Sequence, residues 1–287
     1  MELLRAEAVD LPAEALVFEW RDAPRADFAV IGDPVAHSLS PKMHNAAYAH
    51  LELPLRYTAI RVERGEVASA LEHLRDSGYR GVNVTVPHKE EVLGWIERYE
   101  PMEPMPAQEL PVNTVELRGR TGTNTDAPGF LRTLASALPS PLVGKRVLLL
   151  GAGGSARALA LGLESAGYEV SIFNRTRSKA GALVAGLSLR ARVLERPDPD
   201  GVGLIVNATA RGISGEAPEV LWERAPSSAV AYDLYYTAGP TRFMHAAERH
   251  GLQAIDGRAM LMEQGALSFE WWLGETAPRE VMMKAVL

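Results

Sequence analysis

Two stretches of this chain carry residue types whose spacing suits chemistry. In Gly81-Val82-Asn83-Val84-Thr85-Val86-Pro87-His88-Lys89 the valines alternate with Asn83 and Thr85, the period-two pattern of a strand with one apolar face. The other face sets two hydrogen-bonding side chains next to each other. Pro87, which has no N–H for a ladder, ends the strand just before Lys89. Open α/β sheets bind their ligands at that carboxyl edge; a half-solvated strand leading to a surface lysine fits the same residues. The second stretch is Gly151-Ala152-Gly153-Gly154-Ser155-Ala156, between the apolar run Arg146 to Leu150 and a helix expected from Arg157 to Ala166. This is G-x-G-x-x-A in a strand–turn–helix context, a phosphate cradle for a dinucleotide. Gly151 permits the tight turn, Gly153 lets the backbone approach a pyrophosphate, and Ala156 allows close helix–strand packing. The helix N-terminus then faces the phosphates.

The strand after that helix, Glu169 to Phe173, ends at Asn174-Arg175-Thr176-Arg177-Ser178-Lys179. A site for NAD wants a carboxylate here to hold the free ribose 2′-hydroxyl. Cations and hydroxyls stand there instead, and arginine can clasp a phosphate with two parallel hydrogen bonds. The expected cofactor is NADP(H).

The elements that must position these groups can be read in order. Asp27 to Gly32 predicts a short buried strand. Pro41 at the first turn starts a helix through Tyr48, with Ser40 as its N-cap and Ser38 left without a structural task. Leu55 to Val62 predicts a second strand, Arg64 to Ser77 an amphipathic helix, and the Asn83 strand the third β of a β-α-β-α-β run, which implies a parallel sheet. Glu90 to Tyr99 is expected to be helical, and Glu100 to Pro111, with four prolines, an irregular loop. A strand at Asn113 to Leu117, a turn and a return lead to Asn124-Thr125-Asp126 and a helix to Leu138. Asp126 reads locally as the helix cap. Beyond a Pro/Gly junction, strands at Val202 to Val206 and Ala229 to Leu234 end at Asn207-Ala208-Thr209 and before Tyr235-Tyr236. Gln253 to Gly257 is a last strand and turn, and a helix from about Arg258 to Leu273 carries Gln264.

Composition narrows the function classes. The chain has 287 residues, 47% hydrophobic, and a formal charge of −6, enough for packed cores and without the basic footprint of a nucleic-acid binder. There is no cysteine, which removes disulfides, zinc–thiolate sites and thiol nucleophiles. The seven histidines show no paired spacing, so no metal is expected. No apolar run reaches the roughly 18 residues of a membrane span. Residues 1–27 hold seven carboxylates against three arginines, unlike a targeting peptide. This acidic extension is expected to be a solvated add-on or a subunit contact, and the protein cytoplasmic.

Taken together, Ser38-Leu39-Ser40-Pro41, Asn83 to Lys89, Val112-Asn113-Thr114, Asn124-Thr125-Asp126, the Gly151 loop, Asn174-Arg175-Thr176, Asn207-Ala208-Thr209, Tyr236 and Gln264-Gly265 resemble the shikimate dehydrogenase family, in its order and near its spacing. The resemblance implies two α/β domains with the active site in the cleft between them: an N-terminal substrate domain, residues 1–126, completed by helices within 259–287, and a Rossmann-type doubly wound NADP-binding domain, residues 127–258. It implies NADPH-dependent reduction of 3-dehydroshikimate to shikimate. Ser38 and Ser40 would bind the substrate carboxylate, and Asn83, Thr85, Asn113, Tyr236 and Gln264 would complete the pocket around the ring. Lys89 and Asp126 would be the catalytic pair. Gly151, Ala152, Gly153, Gly154, Ser155, Asn174, Arg175, Thr176, Lys179 and Thr209 would hold NADP, with Leu234 and Gly257 lining the nicotinamide side. A homodimer is compatible with this reading. His88, Leu110-Pro111, Ala127 and Ala238 depart from the family pattern without removing a functional group, and His88 is expected to face solvent. Two rival readings are an NAD-preferring quinate/shikimate dehydrogenase, which calls for an acid near Asn174, and a non-catalytic NADP-binding sensor, which calls for loss of Lys89 or Asp126.

Overall fold

The computed structural model describes residues 16–102, 105, 111–137, 145–209, 216 and 218–287. The first sheet is built from β1 (Val17–Glu19), β2 (Phe28–Gly32), β3 (Tyr57–Arg61), β4 (Gly81–Val84), β5 (Arg98–Tyr99), β6 (Thr114–Glu116) and β7 (Thr121–Thr123), with α1 (Ser40–His50) and α2 (Val67–Asp76) as crossovers. Its strand order is β1-β3-β2-β4-β6-β7-β5. The strands β1, β3, β2 and β4 run parallel, while β6 lies antiparallel to β4 and β7 antiparallel to β6. That hairpin decides where the chemistry sits. Because β6 runs backwards, its first residues lie at the carboxyl edge of β4, and the end of β7 returns to the same edge. Lys89, Asn113 and Asp126 therefore converge although 37 residues separate the lysine from the aspartate.

After α3 (Asp126–Ala137), the second sheet holds β8 (Arg146–Leu150), β9 (Glu169–Phe173), β10 (Arg192–Val193), β11 (Leu204–Asn207), β12 (Val230–Asp233) and β13 (Gln253–Ile255), joined in part by α4 (Gly154–Ser165), α5 (Arg177–Gly186) and α6 (Arg242–Glu248). All its pairings are parallel, in the order β10-β9-β8-β11-β12-β13. Numbered from β8 this is 3-2-1-4-5-6, the doubly wound order whose ligand crevice opens between the first and fourth strands. The central strands β8, β11 and β12 are buried on both faces, as their largely apolar runs require.

The chain then returns to the first sheet. Helices α7 (Arg258–Leu273) and α8 (Arg279–Val286) share a core with α1 and β2, in which Phe28, Val30, Met43 and Tyr48 meet Met262, Phe269 and Met282. On the opposite face Ile31, Val82 and Val84 pack with Leu71 and Leu74 of α2.

Three expectations are corrected. Glu90 to Tyr99 does not form a helix: Gly94 closes a short 3-10 turn, Glu91–Gly94, and the backbone then pairs at the sheet edge, with Glu97 N–H on Arg120 O at 2.7 Å. The described part of the acidic extension keeps Glu19, Arg21, Asp22 and Arg25 exposed, but it is not a loose add-on. β1 adds a strand beside β3, Trp20 is buried, and its indole donates to Glu66 at 2.9 Å, where Arg21 also pairs at 2.7 Å. Val86 leaves the apolar face that its alternation predicts. The ladder of β4 stops at Val84, and Val86 is 41% exposed. The helix from Asp126 is described to Ala137, so the expected end at Leu138 and the Pro/Gly junction before Lys145 lie outside the described residues, as does most of the proline-rich loop.

His44, on the inner face of α1, is fully buried and stacked on Tyr57, ring centroids 4.4 Å apart, and neither ring nitrogen has a partner. Burial pushes its pKa down from 6.5 to about 3. Below pH 6.5 the unfolded chain binds a proton here that the folded chain refuses, so this stabilisation is complete above that pH and is lost as pH falls towards 3. The loss amounts to on the order of 5 kcal/mol. His44→Phe, which keeps a stacked ring and removes the titration, is expected to shift the acid-unfolding midpoint to lower pH in circular dichroism; an unchanged midpoint contradicts the assignment.

Candidate active site

At the mouth between the two sheets Lys89 Nζ donates to Asp126 Oδ2 at 2.5 Å, with the side chains only 11% and 6% exposed. An ion pair this far from water is kept only if its remaining lone pairs and protons are satisfied. Asp126 Oδ1 accepts from Asn113 Nδ2 at 2.9 Å, and Asn113 Oδ1 accepts from the Thr125 N–H at 2.7 Å. One amide thus orients the carboxylate and the backbone beside it. The cap role expected of Asp126 is taken by Asn124, whose Oδ1 receives the Ala127 N–H at 3.2 Å. That leaves the Asp126 carboxylate free for the lysine.

His88, expected in solvent, is fully buried, and its Nε2–H donates to Val62 O at 2.7 Å. With Val112 N–H on Lys89 O at 2.9 Å, it pins the backbone that carries the lysine. A histidine has a shape and a donor that an apolar neighbour pattern does not reveal, which is why burial here was not legible.

Around the pair lies a cleft of about 1330 Å³, and every site residue singled out from the sequence lines it. Ser38 and Ser40 enter from the start of α1, where Ser38 Oγ accepts the Ser40 N–H at 3.3 Å; α1 begins at Ser40 with Leu39 at the N-cap, so Ser40 is not the cap expected of it. Asn83 is buried and heavily engaged: Nδ2 donates to Asn113 O, Thr114 Oγ1 and Ser268 Oγ at 2.9–3.1 Å, and Oδ1 accepts from Tyr57 at 2.7 Å. What it still offers a ligand is the second lone pair of Oδ1. Thr85 lies half-buried with its methyl against Gly32. Gln264 Nε2 donates to Leu261 O at 2.9 Å, and its Oε1 accepts from Asn113 at 3.3 Å. Tyr236 reaches across from the second sheet, its hydroxyl accepting the Leu39 N–H at 3.4 Å, and burial raises its pKa, which keeps the phenol protonated. Ser268 was missed. It stands one turn after Gln264 on the same face of α7, a spacing that signals a shared site, and it ties Asn83 and Thr114 together.

The other half of the cleft fits a dinucleotide. Gly151 has φ +119°, and a Cβ there would stand 2.8 Å from Ala208 O. No atom lies within 4 Å of a Cβ built on Gly153, so the backbone at the start of α4 is open to a phosphate, with Ala152, Gly154 and Ser155 beside it on the cleft wall. Thr209 is held by Asn207 Oδ1 at 2.7 Å. Gly257 is obligatory, since a Cβ would come to 2.1 Å from Leu234 O. At the end of β9, Asn174 Nδ2 donates to Thr176 O at 2.8 Å, and Arg177 pairs with Glu195 at 3.1 Å. Arg175 and Lys179 are exposed and have no carboxylate partner among the described residues. They are two cations available to one more anion.

Residues 30–115 match the profile described as the shikimate dehydrogenase substrate binding domain, and residues 257–287 the shikimate 5'-dehydrogenase C-terminal domain. A shikimate dehydrogenase (NADP(+)) of Moorella thermoacetica is 41% identical over 88% of this chain and 90% of its own. The chain belongs to the shikimate dehydrogenase family. A second member of the family, from Symbiobacterium thermophilum, is 37% identical over 92% of this chain and 94% of its own. Among solved structures, a shikimate dehydrogenase of Thermus thermophilus in complex with NADP(H) and shikimate aligns with a TM-score of 0.80 at 38% identity, covering 91% of this chain and 98% of that one.

Asn113→Ala strands Asp126 Oδ1 and the Thr125 N–H in a buried site. A loss of about 2–4 kcal/mol in urea-unfolding stability is expected, because buried partners left unpaired cost on the order of 1–3 kcal/mol each. A variant as stable as the parent contradicts the orienting role.

Proposed function

We propose that this chain reduces 3-dehydroshikimate to shikimate with NADPH, reversibly. The single observation that carries the reading is a buried lysine–aspartate pair at the point where the glycine loop of one sheet meets the polar pocket of the other. We read residues 1–126 with helices of 259–287 as the substrate domain and 127–258 as the NADP-binding domain; the shared core of α1, α7 and α8 supports that division. The shape of the Gly151 turn, and Arg175 and Lys179 with no carboxylate partner among the described residues, suit NADP, and an NAD-preferring enzyme would call for a carboxylate near Asn174.

When bound, NADPH supplies the hydride. The protein supplies the pose and the proton. The hydroxyls of Ser38 and Ser40 hold the substrate carboxylate, and Asn83, Thr85, Tyr236 and Gln264 receive the ring hydroxyls, with Asn113 behind them. Fixing the ketone carbon in this way is worth much of the barrier, and a site that pairs with substrate hydroxyls rejects analogues lacking them. The Lys89 ammonium has three donors. One is spent on Asp126 and one on Ser155, which leaves the third for the ketone oxygen. As the carbonyl carbon accepts the hydride, its oxygen takes the proton from Nζ, and solvent returns a proton to the amine. In the reverse direction the neutral amine removes the hydroxyl proton. Asp126 holds the lysine in line throughout; how the pair shares the acid role is a property of both groups together.

Lys89→Met keeps the stem and deletes the proton donor. Steady-state kinetics with 3-dehydroshikimate and NADPH are expected to show kcat lowered by about 10²-fold or more with KM nearly unchanged, since positioned acid–base groups contribute about 10²–10⁴-fold. A variant that keeps more than about a tenth of the parent kcat contradicts the role, by the same scale.

A further inference from the structure

Ser155 is the second residue of α4, in the turn that faces the cofactor phosphates, yet its side chain points elsewhere. Its Oγ accepts from Lys89 Nζ at 3.1 Å and lies 3.4 Å from Asp126 Oδ2, to which it donates. One hydroxyl thus closes a triangle on the ion pair, accepting a hydrogen bond from the ammonium and donating one to the carboxylate. The residue before it shapes the seat: a Cβ on Gly154 would stand 3.2 Å from Lys89 Cβ and 3.4 Å from Lys89 Cδ. The methylene stem of the lysine lies across this glycine, and its head group is met by the serine. Among the described residues Ser155 is the only side chain of the second sheet and its crossover helices that bonds to either member of the pair.

We propose that Ser155 is a positioning residue for Lys89, through which the cofactor loop sets the proton donor. The proposal rests on the reading of Lys89 as that donor. A lysine on its four-carbon stem has many rotamers, and Asp126 alone fixes only one of its protons. A second acceptor from the opposite side of the cleft restricts the head group to the orientation whose third proton faces the ketone. The same contact makes the lysine's placement depend on the closeness of the two halves. When the Gly151 loop is drawn back, Ser155 goes with it and the lysine loses one of its two anchors. The hydroxyl is therefore a coupling between cofactor half and substrate half, distinct from the backbone N–H groups at the helix start that suit the phosphates.

The test uses Ser155→Ala, Ser155→Thr, Lys89→Met and the double variant Ser155→Ala/Lys89→Met. It reads kcat and KM with NADPH and 3-dehydroshikimate, and separately the Kd of NADPH from fluorescence titration without substrate. Ser155→Ala is expected to lower kcat about tenfold, the scale of one charge-assisted hydrogen bond, with the NADPH Kd changed by less than about twofold. Ser155→Thr, which keeps the hydroxyl, is expected to restore most of the rate. In the Lys89→Met background the serine change is expected to cost almost nothing, because residues acting as a unit are not additive. A Ser155→Ala variant with a raised NADPH Kd and an unchanged kcat makes the serine a plain phosphate ligand and overturns the proposal. An undiminished, additive loss in the Lys89→Met background overturns it as well. A Lys89→Met enzyme that keeps its kcat overturns the reading of the lysine itself, a result separable from either of these.

Discussion

A carboxylate held almost out of water constrains the rest of this structure. Asp126 is 4% exposed and is answered by an ammonium from the end of β4, an amide from the start of β6 and a hydroxyl from the first turn of α4. Removing one member of such a pair costs about 3–5 kcal/mol, because the charge left behind has neither water nor partner. The arrangements next to it follow from that demand. Asn124 takes over the helix cap so that the aspartate need not. Asn113 is itself held by Thr125 and backed by the Asn83–Ser268 network, so the amide that orients the carboxylate has a fixed rotamer. His88 and Val112 tether the backbone of the lysine.

The two sheets serve this site in different ways. In the first, an antiparallel hairpin inserted beside parallel strands brings three loops to a single edge, and the returning helix α7 adds Gln264 and Ser268 from behind. In the second, six parallel strands in doubly wound order place a glycine turn and a helix start at the crevice. Tyr236 and Ser155 cross from the second half to the first. The buried ion pair thus belongs to the first half and is met by side chains from the second.

Much of this was legible in the residues. Continuous apolar runs marked the buried strands, and the glycine spacing marked the nucleotide turn, because only backbone geometry and close approach are at issue there. The cations after β9 were likewise visible, although Arg177 turns out to be spent on Glu195. What was not legible depended on tertiary pairing. Glu90 to Tyr99 has helix-forming residues, but edge pairing with β7 won. The extension looked merely acidic until Trp20 and Arg21 met Glu66. His88 reads as polar and is buried because a backbone carbonyl lies opposite it. Ser155 sits in a phosphate-loop pattern, and only the folded cleft shows that its hydroxyl turns to Lys89.

A cleft with this donor pair and these cations suits NADP-linked ketone reduction of one particular cyclic acid. The most direct measurement is the rate of NADPH absorbance loss with 3-dehydroshikimate, run beside NADH, with shikimate and quinate tested in reverse. Rapid oxidation of NADPH, a much slower rate with NADH, and reverse turnover of shikimate over quinate are expected. Equal or faster use of NADH, or no turnover of 3-dehydroshikimate by folded protein, would contradict this reading.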